Sequence, residues 1–583
     1  MSRPSAVPGT DPVGLDRTWH WPWVPRLAGW LATFIGLLDI GSGVTPGLRG
    51  RVAALNRVLP GAITHAATAL TIVVGILFLL LAHGLRRRKR RAWQAVVALL
   101  AISVVLHVVK GFDIEEATIS VVLLAASLLL RAEFPAAGDP RTRWSALLAF
   151  FGLLALSVGL GFAMLAVRRH DLIGAPSLST QLGYVLKGLI GVTGHVRFRN
   201  SRVEDIVSDS LVALGVLIAM TTAYLALRPP EPLASLGGED ERRMRELLGQ
   251  FGTRDSLGYF ALRRDKNVVW STTGKSCIAY RVVSGVMLAS GDPLGDPEAW
   301  PGAIAAFLAD AHRHAWVPAV MGCSELGGEV WTREAGLSAL ELGDEAIIEV
   351  CDFSLEGRAM RNVRQAAARV ERAGYCCRLR RVGDIPPAEI EQLRMQAAAW
   401  RGAQTERGFS MALGRFGDPA DRDCVAVTAE RDGTLCAFLH FAPWGRDGLS
   451  LDVMRRDRSA DNGLNEFLIV ETLRCAPDLG VRRISLNFAV FRSALERGER
   501  LGAGPVLKAW RGLLVFISRW FQIESLYRFN AKFRPIWEPR FICYPSARDL
   551  PRIAVAALEA EAFIVWPRPA LRRLRRLAGA RSA

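Results

Sequence analysis

A carboxylate stands three residues before a guanidinium in the string Leu449-Ser450-Leu451-Asp452-Val453-Met454-Arg455-Arg456. We interpret the string as the end of a β-strand, and Asp461-Asn462-Gly463 follows it where a helix is predicted to begin. A helix N-terminus presents unpaired N–H groups to an anion, and Arg455 could bind the same anion through a bidentate contact. The commoner meaning of a D-x-x-R pair is a structural ion pair at a strand end. The string alone leaves both interpretations open.

A second candidate segment interleaves aromatic rings with cations nearer the C-terminus. It comprises Trp510-Arg511 and the stretch from Glu524 to Arg540. Rings that stack on bases and arginines that pair with phosphates are typical of proteins that bind a nucleotide end. A helix on a membrane surface has a similar composition, and this alternative also stays open. The candidate binding residues of the segment are Arg511, Glu524, Arg528, Arg540 and, as a catalytic candidate, Lys532.

The sequence predicts no metal centre and no organic cofactor. The pair His312-x-His314 has no evident third ligand, and no H-E-x-x-H string is present. All nine cysteines lie at or after Cys277 without a C-x-x-C spacing. This arrangement predicts reduced thiols in a cytosolic domain.

The first 228 residues are expected to form a polytopic membrane domain. Apolar runs of up to about 20 residues, which is the length that a bilayer core demands, predict about six spans. The basic run Arg86–Arg91 and the basic loop that includes Arg141 should be cytosolic, which places both termini in the cytosol. The predicted spans are 27–44, 62–83, 92–109, 117–130, 145–167 and 207–227.

One segment of the membrane half breaks this charge rule. Residues 168–202 carry six Lys or Arg side chains although the topology puts them outside, and they include a short apolar stretch at 182–194. A re-entrant or interfacial element that binds lipid phosphates would explain both features, and a plain external loop is the alternative. Together with Asp39 inside the first span, this segment keeps a transporter or flippase among the candidate functions.

The residues after 228 change in character and predict a cytosolic mixed α/β domain. Pro229-Pro230-Glu231-Pro232 marks the boundary, and short β-branched runs then alternate with helical patterns in two similar cycles. We predict one unit at 229–383, a second and catalytic unit at 384–567, and a basic tail at 568–583. A net charge of +17 points to a polyanionic partner, either nucleic acid or anionic lipid, although a positive-inside bias explains part of it.

Six strings of the C-terminal half together carry a family resemblance. They are GDPLGD (291–296), RGFSMALGR (407–415), LSLDVMRR (449–456), DNGLNEFLIVE (461–471), SLNFAVF (485–491) and SLYRFNAKFRPIWEPR (525–540). These strings resemble the phosphatidylglycerol lysyltransferase family, also called the multiple peptide resistance factor family. The sequence is similar to the actinobacterial type without a fused lysyl-tRNA synthetase. The membrane half resembles the family in style only.

The resemblance implies two tandem acetyltransferase-like (GNAT-like) units that use aminoacyl-tRNA in place of acetyl-CoA. The sequence fits this departure, because the nearest match to a CoA pyrophosphate loop, Glu499 to Gly504, begins with Glu. The implied activity is transfer of lysine, alanine or a similar amino acid to a hydroxyl of phosphatidylglycerol or a related lipid. The product would lower the negative charge of the membrane surface and favour resistance to cationic peptides.

Residue chemistry and family position together suggest roles for the candidates. Asp452 would orient or deprotonate the acceptor hydroxyl, and Arg455 would bind the lipid phosphate or the oxyanion. Lys532 would stabilise charge near the reacting carbonyl, and Glu524 would hold the α-ammonium group of the donor. The remaining expected substrate-binding residues are Asn462, Arg511, Asn487, Arg528 and Arg540.

Two other functions remain open at this point. One is a transporter or flippase with a regulatory cytosolic domain, and the other is a FemX-type transferase that acts on peptidoglycan precursors. The expected partners are aminoacyl-tRNA, an anionic phospholipid and the membrane, and homo-oligomerisation is left open. The expected location is the inner or plasma membrane with the catalytic domain in the cytosol.

Overall fold

The computed structural model describes twelve stretches of the chain, which fall into two compact units. One unit comprises residues up to 230 together with 313–315, and the other comprises 231–312 and 316 onwards. The division lies close to the predicted boundary after residue 228. The described residues are 23–44, 77–79, 81–82, 84–86, 90–109, 114–134, 140–192, 196–227, 231–232, 234–402, 408–490 and 523–564.

The described part of the first unit is helical. Helices coincide with five of the six predicted spans, whereas most of the predicted span 62–83 lies outside the described residues. Asp39 lies in the first helix, but its side chain is not among those described. The helices are α1 (Val24–Val44), α2 (Arg90–Val109), α3 (Ile114–Leu129), α4 (Pro140–Val167), α5 (Leu178–Leu189) and α6 (Ser201–Leu227).

Two helices of the described chain are long and apolar enough to cross a membrane. These stretches are Leu147–Val167 of α4 and Ser201–Ala223 of α6. Both helices expose large apolar side chains, such as Phe151 and Ile206, as expected of surfaces that face lipid. The described residues therefore contain two candidate spans, and the predicted number of six is not confirmed.

The short apolar stretch predicted at 182–194 begins as part of helix α5. At 12 residues the helix is about 18 Å long, which is too short to span a bilayer. Its buried face packs between α4 and α6, and glycines permit this close approach. A Cβ atom on Gly188 would lie 2.5 Å from Leu211 of α6, and one on Gly161 of α4 would lie 2.6 Å from Val185.

The second unit is built on one twelve-stranded sheet. The strand order is β1-β2-β3-β5-β12-β6-β11-β10-β9-β8-β7, and β4 pairs with β2 beside this path. The strands are β1 (Asn267–Trp270), β2 (Ser276–Val283), β3 (Val286–Ser290), β4 (Leu294–Gly295), β5 (Val317–Cys323), β6 (Ser338–Glu349), β7 (Cys376–Arg381), β8 (Val425–Arg431), β9 (Thr434–Trp444), β10 (Gly448–Arg456), β11 (Arg483–Val490) and β12 (Ile536–Tyr544).

The same pattern of strands occurs twice in this sheet. An antiparallel run β1-β2-β3 is followed by β5, which is parallel to β3, and the run β8-β9-β10 is followed by β11, which is parallel to β10. The repeat agrees with two similar α/β units in tandem. The strand that follows each parallel pair in sequence, however, pairs with the other half. Strand β6, which follows β5, pairs with β11, and strand β12, which follows β11, pairs with β5.

This exchange affects the predicted subdivision of the domain. The strand β7 precedes the predicted boundary at 383 and yet pairs with β8 of the second half, while β12 follows it and lies in the first half. The sheet runs through both halves, and 231–312 with 316–564 forms one compact unit. The subdivision at 383 therefore stays a prediction.

Helices cover both faces of the second half of the sheet. Successive residues of a strand point to opposite faces. Phe438 and Ala442 of β9 pack in one buried cluster with Leu413, whereas Leu439 and Phe441 pack in another with residues of α10 and α12. The helices of this unit are α7 (Gly238–Phe251), α8 (Trp300–His314), α9 (Glu325–Ala335), α10 (Arg361–Arg372), α11 (Pro387–Arg401), α12 (Leu464–Cys475), α13 (Ile523–Ala531) and α14 (Leu550–Ala560).

Candidate active site

The two central strands of the second half separate where the candidate residues begin. Strands β10 and β11 pair only from Gly448–Ser450 to Arg483–Ser485. Beyond this point β10 has a register shift against β9 between Leu451 and Val453, and β11 has one against β6 between Ser485 and Phe488. Such bulges re-aim side chains, and Asp452 and Asn487 stand at the two shifts.

Asp452 forms a buried pair with a histidine that the sequence analysis did not single out. Its Oδ2 lies 2.6 Å from Nδ1 of His440 on β9, and its Oδ1 accepts a hydrogen bond of 2.7 Å from the backbone N–H of Leu413. The two side chains are 0% and 1% exposed. Both carboxylate oxygens of Asp452 therefore have partners other than Arg455, which differs from a simple D-x-x-R ion pair.

Asn487 binds the backbone next to this pair. Its side-chain Nδ2 donates to the carbonyl oxygens of Leu451 at 3.0 Å and Met411 at 3.1 Å. The residue has a φ of 70°, which asparagine tolerates better than most residues. Asn487 and Asp452 thus hold the same short stretch of chain, 411–413, against the gap between β10 and β11. The described contacts give Asn487 a positioning role.

That stretch belongs to residues 408–418, which we call the anchored segment. The carboxylate of Glu561, just after α14, accepts hydrogen bonds from the backbone N–H groups of Phe409 and Ser410 at 2.7 and 3.0 Å, and from the Ser410 hydroxyl at 2.6 Å. Glu561 is buried. The segment is therefore fixed at one end by Glu561 and in its middle by Asp452 and Asn487.

A cavity of about 370 Å³ opens between α11, the anchored segment and strands β9 and β10. Two aromatic rings, Phe416 and Phe438, form part of its wall, and Val453 and Arg455 of β10 line it as well. Its charged lining residues are Arg394, Arg401, Arg415, Arg455 and Asp418. With four guanidinium groups against one carboxylate, the lining suits an anion.

Carboxylates balance part of this positive charge. Arg394 pairs with Glu391 at 2.6 Å, and Arg415 pairs with Asp421 at 2.7 Å. The carboxylate of Asp418 is itself paired with Arg264 at 2.8 Å. Arg455 contacts the carbonyl oxygen of Met454 at 3.4 Å.

The imidazole of His440 packs against the aromatic wall of this cavity. Its ring centroid lies 5.0 Å from that of Phe416 and 6.3 Å from that of Phe438, to which it is nearly parallel. The Nε2 atom is buried, and within the part of the chain that the structure describes it has no hydrogen-bond partner. A buried polar atom without a partner is costly, so Nε2 of a ring that packs behind the cavity wall is a candidate functional atom.

Two other predicted site residues lie near the start of α12, each with its own partner. Nζ of Lys532 forms an ion pair of 2.7 Å with Glu466 in the first turn of this helix. The carbonyl oxygen of Asn462 accepts a hydrogen bond of 2.7 Å from Arg369. Both residues are solvent-exposed, and neither lines the cavity.

Arg540, expected to bind substrate, lies inside the sheet instead. Its guanidinium donates to Glu345 and to Asp255, the latter at 2.7 Å, and also to Ser256. Arg540 and Glu345 are 3% and 0% exposed. The described contacts give Arg540 a structural role, because buried carboxylates need a cationic partner, and a contact with substrate stays a prediction.

The remaining predicted residues are less closely defined. Arg528 lies exposed on α13, and Glu524 belongs to the same helix, but the side chain of Glu524 is not among those described. Arg511 and the glycine-rich turn at 499–504 lie outside the described residues, as does the basic tail at 568–583. Within the described chain, no group of three His, Cys, Asp or Glu side chains is arranged to hold a metal ion. All nine cysteines are free thiols, and four of them are buried.

Comparison with known families now adds to these observations. Residues 20–226 match the transmembrane region of lysyl-tRNA synthetase. With the two candidate spans of α4 and α6, this match defines a membrane protein that carries an α/β domain. Residues 245–544, which include the His440–Asp452 pair and the cavity, match the C-terminal region of phosphatidylglycerol lysyltransferase. The chain belongs to the phosphatidylglycerol lysyltransferase family.

Curated relatives are similar along nearly the whole chain. The lysylphosphatidylglycerol biosynthesis bifunctional protein LysX of Mycobacterium avium (strain 104) is 41% identical over 581 residues, which cover 94% of this chain and 47% of the relative. The LysX protein of Mycobacterium sp. (strain KMS) is 41% identical over 587 residues, covering 96% and 52%. The chain thus spans about half the length of the curated relatives it matches.

Solved structures with lower identity are also similar. The C-terminal domain of a putative lysylphosphatidylglycerol synthetase from Agrobacterium fabrum is 23% identical, with a TM-score of 0.47, and covers 55% of this chain and 96% of that chain. The L-PGS structure from Bacillus licheniformis is 20% identical, with a TM-score of 0.49, and covers 57% of this chain and 98% of that chain.

Proposed function

We propose that this protein transfers an aminoacyl group from aminoacyl-tRNA to a hydroxyl group of phosphatidylglycerol or a related anionic lipid. The observation that carries the proposal is the cationic cavity beside the buried His440–Asp452 pair, inside the region that matches phosphatidylglycerol lysyltransferase. The named activity of the LysX relatives, lysylphosphatidylglycerol biosynthesis, supports the same substrate class.

The proposed reaction makes modest chemical demands. The donor is already an activated ester, so the enzyme has to bring a lipid hydroxyl to the ester carbonyl and stabilise the oxyanion that forms. Positioning and preorganised charge supply much of the rate enhancement in such transfers. No metal or organic cofactor is needed for any step.

The proposed roles follow the charges at the site. Asp452 acts on the acceptor hydroxyl through the histidine with which it is paired, and Arg455, in the cavity wall, binds the lipid phosphate or the oxyanion. Lys532 stabilises charge near the reacting carbonyl, while Glu524 holds the α-ammonium group of the donor. Both Lys532 and Asn462 stand at the start of α12, where a helix N-terminus favours the phosphates of the tRNA end.

We propose a finer architecture for the same function. The membrane half crosses the bilayer about six times with both termini in the cytosol, as the basic loops predict. The α/β domain is then cytosolic, where aminoacyl-tRNA is found, and its two halves are acetyltransferase-like units. The duplicated strand pattern around β3–β5 and β10–β11 supports this division.

Lipid mass spectrometry tests the proposed function directly. We expect cells that express the wild type to contain an aminoacylated lipid that is absent from cells expressing Asp452→Asn. The exposed carboxylate of Asp478, in the same matched region, provides the control, because Asp478→Asn should leave the product unchanged.

The outcome also separates the rival functions. A new lipid in the wild type identifies both the amino acid and the acceptor. If folded wild-type protein yields no such lipid, the proposal is wrong, and altered peptidoglycan precursors or lipid transport would then identify the FemX-type or transporter alternative.

A further inference from the structure

We infer that His440 is the general base of the transfer and that Asp452 is the residue that positions it. This inference rests on the proposed function, since it names the group that receives the proton of the acceptor hydroxyl. It shifts the chemical role from the carboxylate, which the sequence suggests, to a histidine that the structure brings beside it.

The hydrogen bonds of Asp452 argue against the carboxylate as the base. Its Oδ1 accepts from the backbone N–H of Leu413, and its Oδ2 faces Nδ1 of His440 at 2.6 Å. Both side chains are removed from water. A carboxylate held in this way orients an imidazole, as in a Ser-His-Asp triad, and is not available to a substrate.

The same hydrogen bond decides which nitrogen of His440 is available. Asp452 accepts through Oδ2, so in the neutral imidazole Nδ1 carries the proton and Nε2 carries the lone pair. The Nε2 atom is buried, and no group among the described residues forms a hydrogen bond with it. Its lone pair is therefore an acceptor in need of a donor, and a substrate hydroxyl is such a donor.

The surroundings of the ring point to the place from which the hydroxyl arrives. His440 contacts the rings of Phe416 and Phe438, both of which line the 370 Å³ cavity together with Arg455. On the paired strand, His440 stands opposite Val453, another lining residue. An anionic lipid whose phosphate binds near Arg455 would have its glycerol hydroxyls a few bonds away, in the cavity whose aromatic wall the imidazole contacts.

The proton and the bonds balance in a single transfer. Nε2 of His440 takes the hydroxyl proton as the lipid oxygen forms a bond to the ester carbonyl carbon. The bond from that carbon to the ribose oxygen of the tRNA then breaks, and the imidazolium gives the proton to the ribose oxygen. The histidine returns to its neutral form, and Asp452 stabilises the transient positive charge without taking the proton.

His440→Asn is the decisive variant. The asparagine amide nitrogen occupies the place of Nδ1, so it can keep the hydrogen bond to Asp452, whereas nothing replaces Nε2. With full-length protein, phosphatidylglycerol vesicles and the aminoacyl-tRNA that the wild type uses, we expect kcat to fall by about 10²–10⁴-fold. The KM values for lipid and tRNA should stay close to those of the wild type, because substrate binding is intact.

Two further variants of the protein complete the experiment. His312→Asn, which changes an exposed histidine of α8, should retain wild-type kcat. If His440→Asn does not unfold cooperatively on heating, His440→Gln takes its place under the same criterion. A folded variant with more than roughly a tenth of the wild-type kcat would overturn the inference, because a general base contributes far more than this.

The design keeps the two proposals apart. If the wild type itself forms no aminoacylated lipid, the proposed function fails. If the wild type forms the lipid and a folded His440 variant forms it equally well, only the role of His440 fails. A loss that appears entirely in KM would also contradict the role, because it would make His440 a part of the binding wall.

Discussion

The ammonium group of Lys266 lies entirely inside the second unit, beside the anchored segment. Its Nζ donates to the carbonyl oxygen of Phe260 at 2.9 Å and to the hydroxyl of Ser290 at 2.7 Å, and it faces the ring of Phe409. Burial, assisted by the charge of Arg263, lowers the pKa of Lys266 to about 7. A group of this kind ties stability to pH.

We predict that stability increases with pH above 7 and that Lys266→Met removes part of this increase. The pKa of Lys266 is lower in the folded chain than its ordinary value near 10.5, so the unfolded chain binds more protons between these values. Each pH unit in this window then adds up to about 1.4 kcal/mol to the free energy of unfolding.

Thermal unfolding of both proteins in detergent at pH 7, 8 and 9 measures this effect. The difference between wild type and variant should shift in favour of the wild type as pH rises. Parallel curves would mean that Lys266 keeps an ordinary pKa in the folded protein.

At the residue scale, the sequence identified Asp452 of the buried pair but not His440. Asp452 stood out because of its D-x-x-R spacing and the family string around it. His440 did not, because a single histidine in the apolar run Leu435 to Ala442 reads as a core residue. His440 can be recognised as a site residue only from the strand register, which places it opposite Val453 and next to the register shift that contains Asp452. Register depends on tertiary pairing, which one sequence does not specify.

Among the elements, the anchored segment has the most direct effect on the site. It has no regular secondary structure over most of its length. Its position depends on hydrogen bonds that it donates to Glu561 and Asp452 and on one that it accepts from Asn487. The backbone N–H of Leu413 in turn fixes the carboxylate of Asp452. Release of the segment would therefore disorder the catalytic pair as well as one wall of the cavity.

We predict that Glu561→Gln loosens the anchored segment and lowers activity. The amide NH₂ of glutamine would face N–H groups that now donate to the carboxylate, and buried charge-assisted hydrogen bonds of this kind contribute about 1.5–3 kcal/mol each. Tryptic cleavage after Arg415 should become faster, which limited proteolysis with mass spectrometry detects.

The matched control is Glu559→Gln, in the last turn of α14 and two residues before Glu561. Among the described residues, the side chain of Glu559 accepts a hydrogen bond from Ser284, which lies outside the anchored segment. Cleavage at Arg415 should therefore keep its wild-type rate. Equal cleavage rates in the wild type and Glu561→Gln would show that other contacts suffice to hold the segment.

The sequence identified some elements near the site, and charged residues or proline obscured others. The string at 449–456, interpreted as the end of a strand, forms most of β10, and the helix predicted to begin after Asp461-Asn462-Gly463 is α12. Strands β6 and β12 were missed. The former contains Asp344 and Glu345, and the latter contains Pro539 and Arg540, residues that are rare inside sheets. Their ion pairs form only when the two strands meet.

In the whole second unit, the buried ion network joins the exchanged strands. Arg540 of β12 binds Glu345 of β6, and it also binds Asp255, which comes from the chain before β1. The pKa of the nearby Asp292 is raised to about 7, mainly by burial and secondly by the negative charge of Asp255. One guanidinium thus compensates several carboxyl groups in the centre of the sheet.

We predict that Arg540→Met destabilises the unit severely. Removal of the guanidinium leaves Glu345 and Asp255 without their cationic partner, and breaking a buried pair in this way costs about 3–5 kcal/mol. The midpoint of thermal unfolding should fall by several degrees, whereas Arg548→Met, at an exposed arginine soon after β12, should leave it unchanged. An unchanged midpoint in Arg540→Met would contradict the structural role.

The exchange of β6 and β12 also has a consequence for synthesis on the ribosome. The strand that separates β5 from β6 is the last one made, so the sheet lacks its central member until residues 536–544 have emerged. Until then, the nascent chain presents β5 with one unpaired edge and β6 with the carboxylates that Arg540 will neutralise. Completion of the sheet is therefore a late, long-range event. Until it occurs, the unpaired edges of β5 and β6 are exposed to pairing with a wrong strand.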